Sequence, residues 1–291
     1  MRHKEGGKVN DSTHRFVDKQ ADMLLRRING FYAKAAKGAQ AKVKAFIADF
    51  EAEDAQKRRE LPEREYKRWR RKKFSGEGWE TVLAYIVSAF VSADRQSKAA
   101  MRTVCEGLFI EVAHRTAKGI RSMAGIVLPL ITKDAAAKEI GEYPFIFEKK
   151  FSKLKDTAWN KRRAENILAA GITLGVGAAE LVKMLSTDLA AKNSRAMRGT
   201  VNTAVTSAAA AAIVYELAKA KERGGKSYKV WETVGDDRVR EAHQELDGDE
   251  KEVGQPFEVD GAEIMFPGDP DAPLDLTYNC RCWLVYYVSK R

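Results

Sequence analysis

The sequence predicts an α+β protein with a mainly α-helical, extended N-terminal region and a small C-terminal α+β domain. Two observations support this division. Up to Gly224-Gly225, a strong helix stop, apolar residues recur at steps of three and four, as in amphipathic helices. Beyond it, short runs of β-branched and aromatic residues alternate with glycine and proline, which predicts an antiparallel sheet with one helix across it. We therefore place the boundary between residues 1–225 and residues 226–291.

Prolines, glycines and capping residues divide the N-terminal region into helices. Pro62 favours a helix start, because its missing N–H would have no partner there. Thr132 is a suitable N-cap residue, and so is Ser186 or Thr187. A glycine-rich bend is expected over residues 169–177. The predicted helices cover residues 8–60, a stretch beginning at Pro62, and residues 79–121, 133–140, 145–170, 178–185 and 188–223.

The C-terminal region has the spacing of a small sheet. Residues 227–233 and 281–288 predict its first and last strands. Asp236 is a candidate cap for a short helix that ends before Asp247-Gly248. Asp260-Gly261 predicts a tight hairpin turn, because both positions of such a turn need positive φ.

The net charge of +10 is unevenly distributed. Residues 226–291 carry 8 Lys/Arg and 15 Asp/Glu, whereas the rest of the chain carries 43 and 26. A basic helical part and an acidic compact part are expected to meet different partners. For the basic part, nucleic acid and an acidic protein surface are both candidates; solvated helix faces are the alternative.

The cysteine count and the uncharged segments indicate the compartment. Three cysteines do not make a disulfide framework, so a reduced, intracellular setting is expected. The polar residues 1–11 do not resemble a signal peptide. The longest uncharged run, residues 199–215, is too weakly hydrophobic for a membrane span and predicts a closely packed helix. The oligomeric state stays open.

The densest basic stretch, residues 57–73, is a candidate DNA-binding segment. Lysines and arginines can neutralise phosphate, and an aromatic ring among them can stack on bases. The alternative is that Trp69 packs on a neighbouring helix and the charges only solvate the surface. The candidate residues are Arg64, Lys67, Arg68, Trp69, Arg70, Arg71, Lys72 and Lys73.

Four residues near the C-terminus could bind zinc. Cys280 and Cys282 alternate on a strand and so point to one face, and His243 and Asp247 share one face of a helix. Two thiolates and an imidazole suit zinc, with Asp247 as a fourth ligand. We favour the alternative: a hydrogen-bonded histidine beside two packed thiols, with Asn279 and Arg281 tying a loop to the helix.

An enzymatic reading of the same region is less favoured. Arg238, Arg240, His243 and Asp247 are residue types that serve as acid–base groups in nucleases or transferases. No serine, cysteine or carboxylate pair is spaced as a nucleophile–base set. We therefore assign no catalytic residue.

The C-terminal motif residues resemble those of a known family. They are Trp231, Asp237, Arg238, Arg240, His243, Asp247, Gly248, Pro267, Gly268, Pro270, Asn279, Cys280, Arg281 and Cys282. In this order and spacing they resemble the C-terminal domain of the Mu F-like minor head proteins, the phage head morphogenesis family. The upstream residues Gly171, Gly175, Arg195, Arg198, Thr200 and Thr203 also resemble the glycine turn and Arg-Thr helix of that family.

The resemblance implies a minor capsid component of a phage or prophage, associated with the portal vertex. Its partners would be the portal protein, capsid components and packaged DNA. Its place would be the interior of the virion head, and the host cytoplasm during assembly. It would act structurally in head assembly and in DNA packaging or delivery. The rival functions are a metal-dependent nuclease or toxin-like effector with the same C-terminal domain, and a DNA-binding protein without a virion role.

Overall fold

The computed structural model describes residues 11–141, 160–167 and 178–290, and it confirms the α+β class. The helices are α1 (Asp11–Glu60), α2 (Glu63–Lys73), α3 (Glu77–Ala124), α4 (Lys133–Ile140), α5 (Ala178–Glu222), α6 (Glu241–Glu245) and α7 (Leu274–Thr277). The strands are β1 (Gly225–Glu232), β2 (Glu250–Glu252), β3 (Phe257–Val259), β4 (Ala262–Ile264) and β5 (Trp283–Lys290). Residues 160–167 are also helical.

Several predicted helix ends are confirmed. Thr132 caps α4, its hydroxyl accepting a hydrogen bond from Ala135 N at 3.2 Å. The stop at Gly224-Gly225 is present, with Gly224 at φ 85. The break predicted at Ser186 or Thr187 is wrong, because α5 continues through both residues on an unbroken buried face. The bend predicted over residues 169–177 lies outside the described residues.

Helix α5 contains the one described segment, Val182–Glu222, that is long and apolar enough to cross a membrane by length and composition. Its most apolar window is 72% buried within the protein. Burial of this extent is typical of a core helix, and it agrees with the close packing predicted for residues 199–215.

The C-terminal strands form an antiparallel sheet of order β2-β1-β5 and a separate β3-β4 hairpin. The hairpin turn is confirmed: Asp260 and Gly261 have φ of 50 and 72. The helix predicted from Asp236 is shorter than expected, since α6 begins only at Glu241. The Asp236 carboxylate instead binds Arg281 and the Arg238 N–H.

The chain forms two compact units, which we call unit 1 and unit 2. Unit 1 consists of Met1–Arg26, Lys98–Lys150 and Met197–Arg291, and unit 2 of Arg27–Ser97 and Phe151–Ala196. The core of unit 2 includes Tyr32, whose hydroxyl donates to Asp94 Oδ1 at 3.2 Å. The boundary predicted after residue 225 stays a prediction.

Candidate functional site

The loop at residues 278–282 connects α7 to β5 and is fixed by two arginines. Arg281 makes two hydrogen bonds of 2.8 Å to the carboxylate of Asp236. These bonds are the main reason that the pKa of Asp236 lies below its ordinary value. Arg240 donates to the backbone carbonyl of Tyr278. The loop and the segment before α6 are therefore joined by side-chain bonds.

Helix α5 holds the same loop through three polar side chains. The Thr203 hydroxyl accepts from Asn279 N at 2.7 Å, and Asn202 Nδ2 donates to Asn279 Oδ1 at 2.8 Å. The Thr206 hydroxyl donates to Cys280 O at 3.0 Å. Asn279 has φ 58, a left-handed conformation that asparagine tolerates better than most residues. The sequence pointed to Thr203 only through the resemblance, and gave no signal for Asn202 or Thr206.

Two glycines allow this close approach. A Cβ at Gly199 would lie 2.2 Å from Cζ of Tyr278, so a side chain there would displace the tyrosine ring. A Cβ at Gly268 would lie 3.0 Å from Ser207 N and 3.1 Å from Thr203 O, both of α5. Gly268 also has φ 77. Glycine is therefore favoured at this position by the backbone conformation of the turn and by the close contact with α5.

His243, Cys280 and Cys282 form a buried cluster. The distances from His243 Nδ1 are 3.7 Å to Cys280 Sγ and 3.5 Å to Cys282 Sγ. The three residues are only 1%, 2% and 4% exposed. The Trp231 ring packs edge-on against the imidazole with centroids 5.1 Å apart. This group could hold a metal ion, since its ligand atoms all lie within 4.8 Å of one another.

The two thiols of the cluster are electrostatically unequal. The hydrogen bond from Cys282 is the largest cause that lowers the pKa of Cys280, and His243 lowers it further. Sharing that hydrogen bond, together with burial, raises the pKa of Cys282. The shared hydrogen bond therefore moves the pKa values of the two thiols in opposite directions. Elsewhere, burial raises the pKa of Cys105 to about 12, as expected for the small packed side chain that its place on the helix indicates.

Asp247 lies apart from the cluster. Its Oδ1 accepts from the backbone N–H of Thr233 at 2.7 Å and from the Thr233 hydroxyl at 2.9 Å. The carboxylate thus ties the end of β1 to the turn after α6. Among the described residues, the group of close ligand atoms contains His243 and the two cysteines and not Asp247.

The remaining motif residues stabilise turns or face solvent. Gly248 has φ 78 and donates to Trp231 O at 2.8 Å. Pro267 and Pro270 flank Gly268 and Asp269; the buried Asp269 accepts from Met265 N at 2.8 Å and from Asp271 N at 2.9 Å. Asp237 and Arg238 are exposed.

Lys229 is fully buried in β1, and its role was not predicted from the sequence. Its Nζ donates to Met265 O at 2.6 Å and lies 4.9 Å from the centre of the Phe257 ring. Burial lowers its pKa to about 8, although attraction to Asp269 raises it. Lys229 therefore fixes the segment before Pro267. A charged residue inside a predicted strand was the one available signal.

The candidate DNA-binding residues fall on two faces of α2. Trp69 stacks on Phe50 at 5.6 Å and on Tyr66 at 6.2 Å between ring centroids, so it packs on α1 as the alternative interpretation described. Lys67, Arg70 and Lys73 pair with Glu63, Asp54 and Glu53 respectively. The other cations are exposed and form no ion pair with any described residue: Arg64, Arg68, Arg71 and Lys72.

The comparison with protein families identifies the region that carries the cluster. Residues 163–285 match the family described as Phage Mu protein F like protein. No curated protein and no solved structure matches the chain. The match includes α6, the loop at residues 278–282 and all of α5, and it confirms the resemblance seen in the motif residues. Over residues 163–285 the chain is therefore similar to the Phage Mu protein F like family.

Proposed function

We propose that this chain is a minor head protein that acts at the portal vertex, in head assembly and in DNA packaging or delivery. Its partners in this role are the portal protein, capsid components and the packaged DNA. The proposal places it in the virion head, and in the host cytoplasm while heads assemble. The family match over residues 163–285 supports the phage head role in general. The roles at the portal and in DNA packaging are our proposal beyond that match.

One observation carries the structural interpretation: most of the motif residues are engaged within the protein. Arg240, Asn279 and Arg281 bind backbone or side-chain partners inside unit 1. His243 and the two cysteines are nearly inaccessible to solvent. Groups that perform catalysis must reach a substrate, and the buried imidazole and thiols do not. The motif therefore specifies a folded unit suited to docking.

The direct test is to find the chain in particles. We expect mass spectrometry of purified virions to detect it in amounts well below the major capsid protein. Deletion of its gene should leave shells that form but package or deliver less DNA. Absence of the chain from both virions and immature heads would contradict the proposal.

We further propose that α2 contacts DNA through one face. Arg64, Arg68, Arg71 and Lys72 follow helical spacing, are exposed and have no ion-pair partner among the described residues. Lysine and arginine without local partners can release counterions from phosphate. Trp69 takes no part, because both its ring contacts are within the protein. The expected binding is electrostatic and independent of DNA sequence.

Salt-dependent DNA binding tests this face. Replacing Arg64, Arg68, Arg71 and Lys72 by glutamine should reduce the slope of log affinity against log salt by about 1 for each lost contact. The matched control removes the same charge from exposed lysines of α1: Lys19, Lys34, Lys37 and Lys44. Equal loss in both variants would mean that net charge, and not the α2 face, binds DNA.

The rival function is a metal-dependent nuclease or effector. We expect no DNA cleavage by the purified chain with or without divalent metal. Cleavage that His243→Ala abolishes would overturn the structural interpretation. The structural role requires no catalytic cofactor, and a zinc ion at the cluster would stabilise the fold.

A further inference from the structure

The His243–Cys280–Cys282 cluster has the geometry of a metal site. We propose that it binds one zinc ion through His243 Nδ1 and the two Sγ atoms, and that this ion fastens the loop at residues 278–282 to α6. The inference goes beyond the proposed function and does not depend on it, because a zinc-stabilised fold would serve any role of the C-terminal region.

The distances agree with zinc coordination. Zinc lies about 2.3 Å from a thiolate sulfur and about 2.0–2.1 Å from a histidine nitrogen, so a tetrahedral angle separates the two ligand atoms by about 3.6 Å. The separations from His243 Nδ1 are 3.7 Å to Cys280 Sγ and 3.5 Å to Cys282 Sγ. Both nitrogen–sulfur separations therefore match those of a tetrahedral zinc site.

The chemistry of the ligands selects the metal. Thiolate and imidazole ligands favour zinc over magnesium or calcium, which prefer oxygen. Both cysteines are free thiols, so each can release its proton to solvent when the ion binds the sulfur. Asp247 is held by Thr233, so the fourth position is left to a water molecule.

The position of the cluster gives the ion a mechanical consequence. Cys280 O is also the acceptor for Thr206 of α5, and Arg281 stands between the two cysteines. An ion shared by α6 and this loop would restrain the segment that α5 holds. Because the unfolded chain has no such site, binding would stabilise the folded state.

Metal content of the full chain tests the proposal. Protein purified without chelator from zinc-supplemented cells should contain about one zinc per chain by mass spectrometry of the metal. Cys280→Ala should lose it. The matched control is Cys105→Ala, which removes a buried cysteine from the same unit but outside the cluster and should keep its zinc.

A second measurement covers the case in which Cys280→Ala fails to fold. Wild-type protein in which cobalt replaces zinc should show the visible bands of a tetrahedral site and a thiolate-to-cobalt charge-transfer band. A strong chelator should lower the melting temperature of wild type and of Cys105→Ala by the same amount.

Three results would overturn the proposal. Zinc below about a tenth of an equivalent, with three titratable thiols, would identify a hydrogen-bonded cluster without metal. A mass lower by two hydrogens would identify a Cys280–Cys282 disulfide. Zinc retained in a folded Cys280→Ala variant would place the ion elsewhere.

Discussion

The contacts within unit 1 differ in kind from those within unit 2. In unit 2, Phe46, Phe74 and Trp79 pack as an aromatic cluster, and exposed ion pairs such as Lys67–Glu63 lie along the helices. In unit 1, single residues in rare conformations make bonds to distant parts of the chain. All described residues with positive φ belong to unit 1. Many sequences can form the apolar face of an amphipathic helix, whereas few residue types fit a position with positive φ.

The largest expected effect follows from changing a glycine where the turn and the contact coincide. Gly268→Ala combines left-handed backbone strain with a clash against the α5 backbone. We expect a loss of about 2–4 kcal/mol in the free energy of unfolding, measured by chemical denaturation.

Gly254→Ala is its matched control. Gly254 also has a positive φ, 93, but no atom lies within 4 Å of a Cβ built there. Its loss should be about 1–2 kcal/mol, from backbone strain alone. Equal losses in the two variants would mean that close approach to α5 contributes nothing.

The next effect concerns Glu216, a buried carboxyl group of α5. Burial raises its pKa from 4.5 to about 7, despite attraction to Lys219. Between these values only the folded state keeps the proton, so stability should fall as pH rises from about 4.5 to about 7. The expected fall is about 1–3 kcal/mol, and Glu216→Gln should remove it.

Stability curves at several pH values measure this slope. Glu222→Gln removes an exposed carboxylate from the same helix and should leave the slope unchanged. A slope that survives in Glu216→Gln would assign the pH dependence to another group.

A smaller effect tests one hydroxyl group. Thr203→Val removes the acceptor of Asn279 N and should destabilise the chain by about 1–3 kcal/mol, because a part-buried N–H is left without its partner. Thr103→Val is the control. The Thr103 hydroxyl donates only to Ala99 O, four residues earlier, just as the Thr203 hydroxyl donates to Gly199 O. If both variants lose the same stability in thermal denaturation, the hydrogen bond between Asn279 N and the Thr203 hydroxyl contributes nothing to stability.

The smallest effect belongs to the surface of α2. Lys67→Gln removes an exposed ion pair and should not shift the melting temperature measurably. Trp69→Ala on the same helix removes the stacking on Phe50 and should lower it clearly. A shift for Lys67→Gln as large as that for Thr203→Val would abolish the distinction between the two units.

The accuracy of the predictions follows the same distinction. Helices α1 and α4 and the Asp260-Gly261 turn were predictable, because each depends on local spacing or a local turn. The break at Ser186 was wrong, because tertiary burial of one face overrides a capping preference. The helix before Asp247 was predicted with a start that is too early, because the Asp236 carboxylate binds an arginine far along the chain.

The sequence by itself determined the fold class, the three candidate cluster residues His243, Cys280 and Cys282, and the resemblance to a phage family, because these depend on periodicity, residue type and order. Only the tertiary structure brought His243 to the two thiols and left Asp247 with Thr233. It also decided that α5 holds the loop through Asn202, Thr203 and Thr206. Contacts between residues more than 70 positions apart depend on how whole elements pack, and the local sequence does not predict that packing.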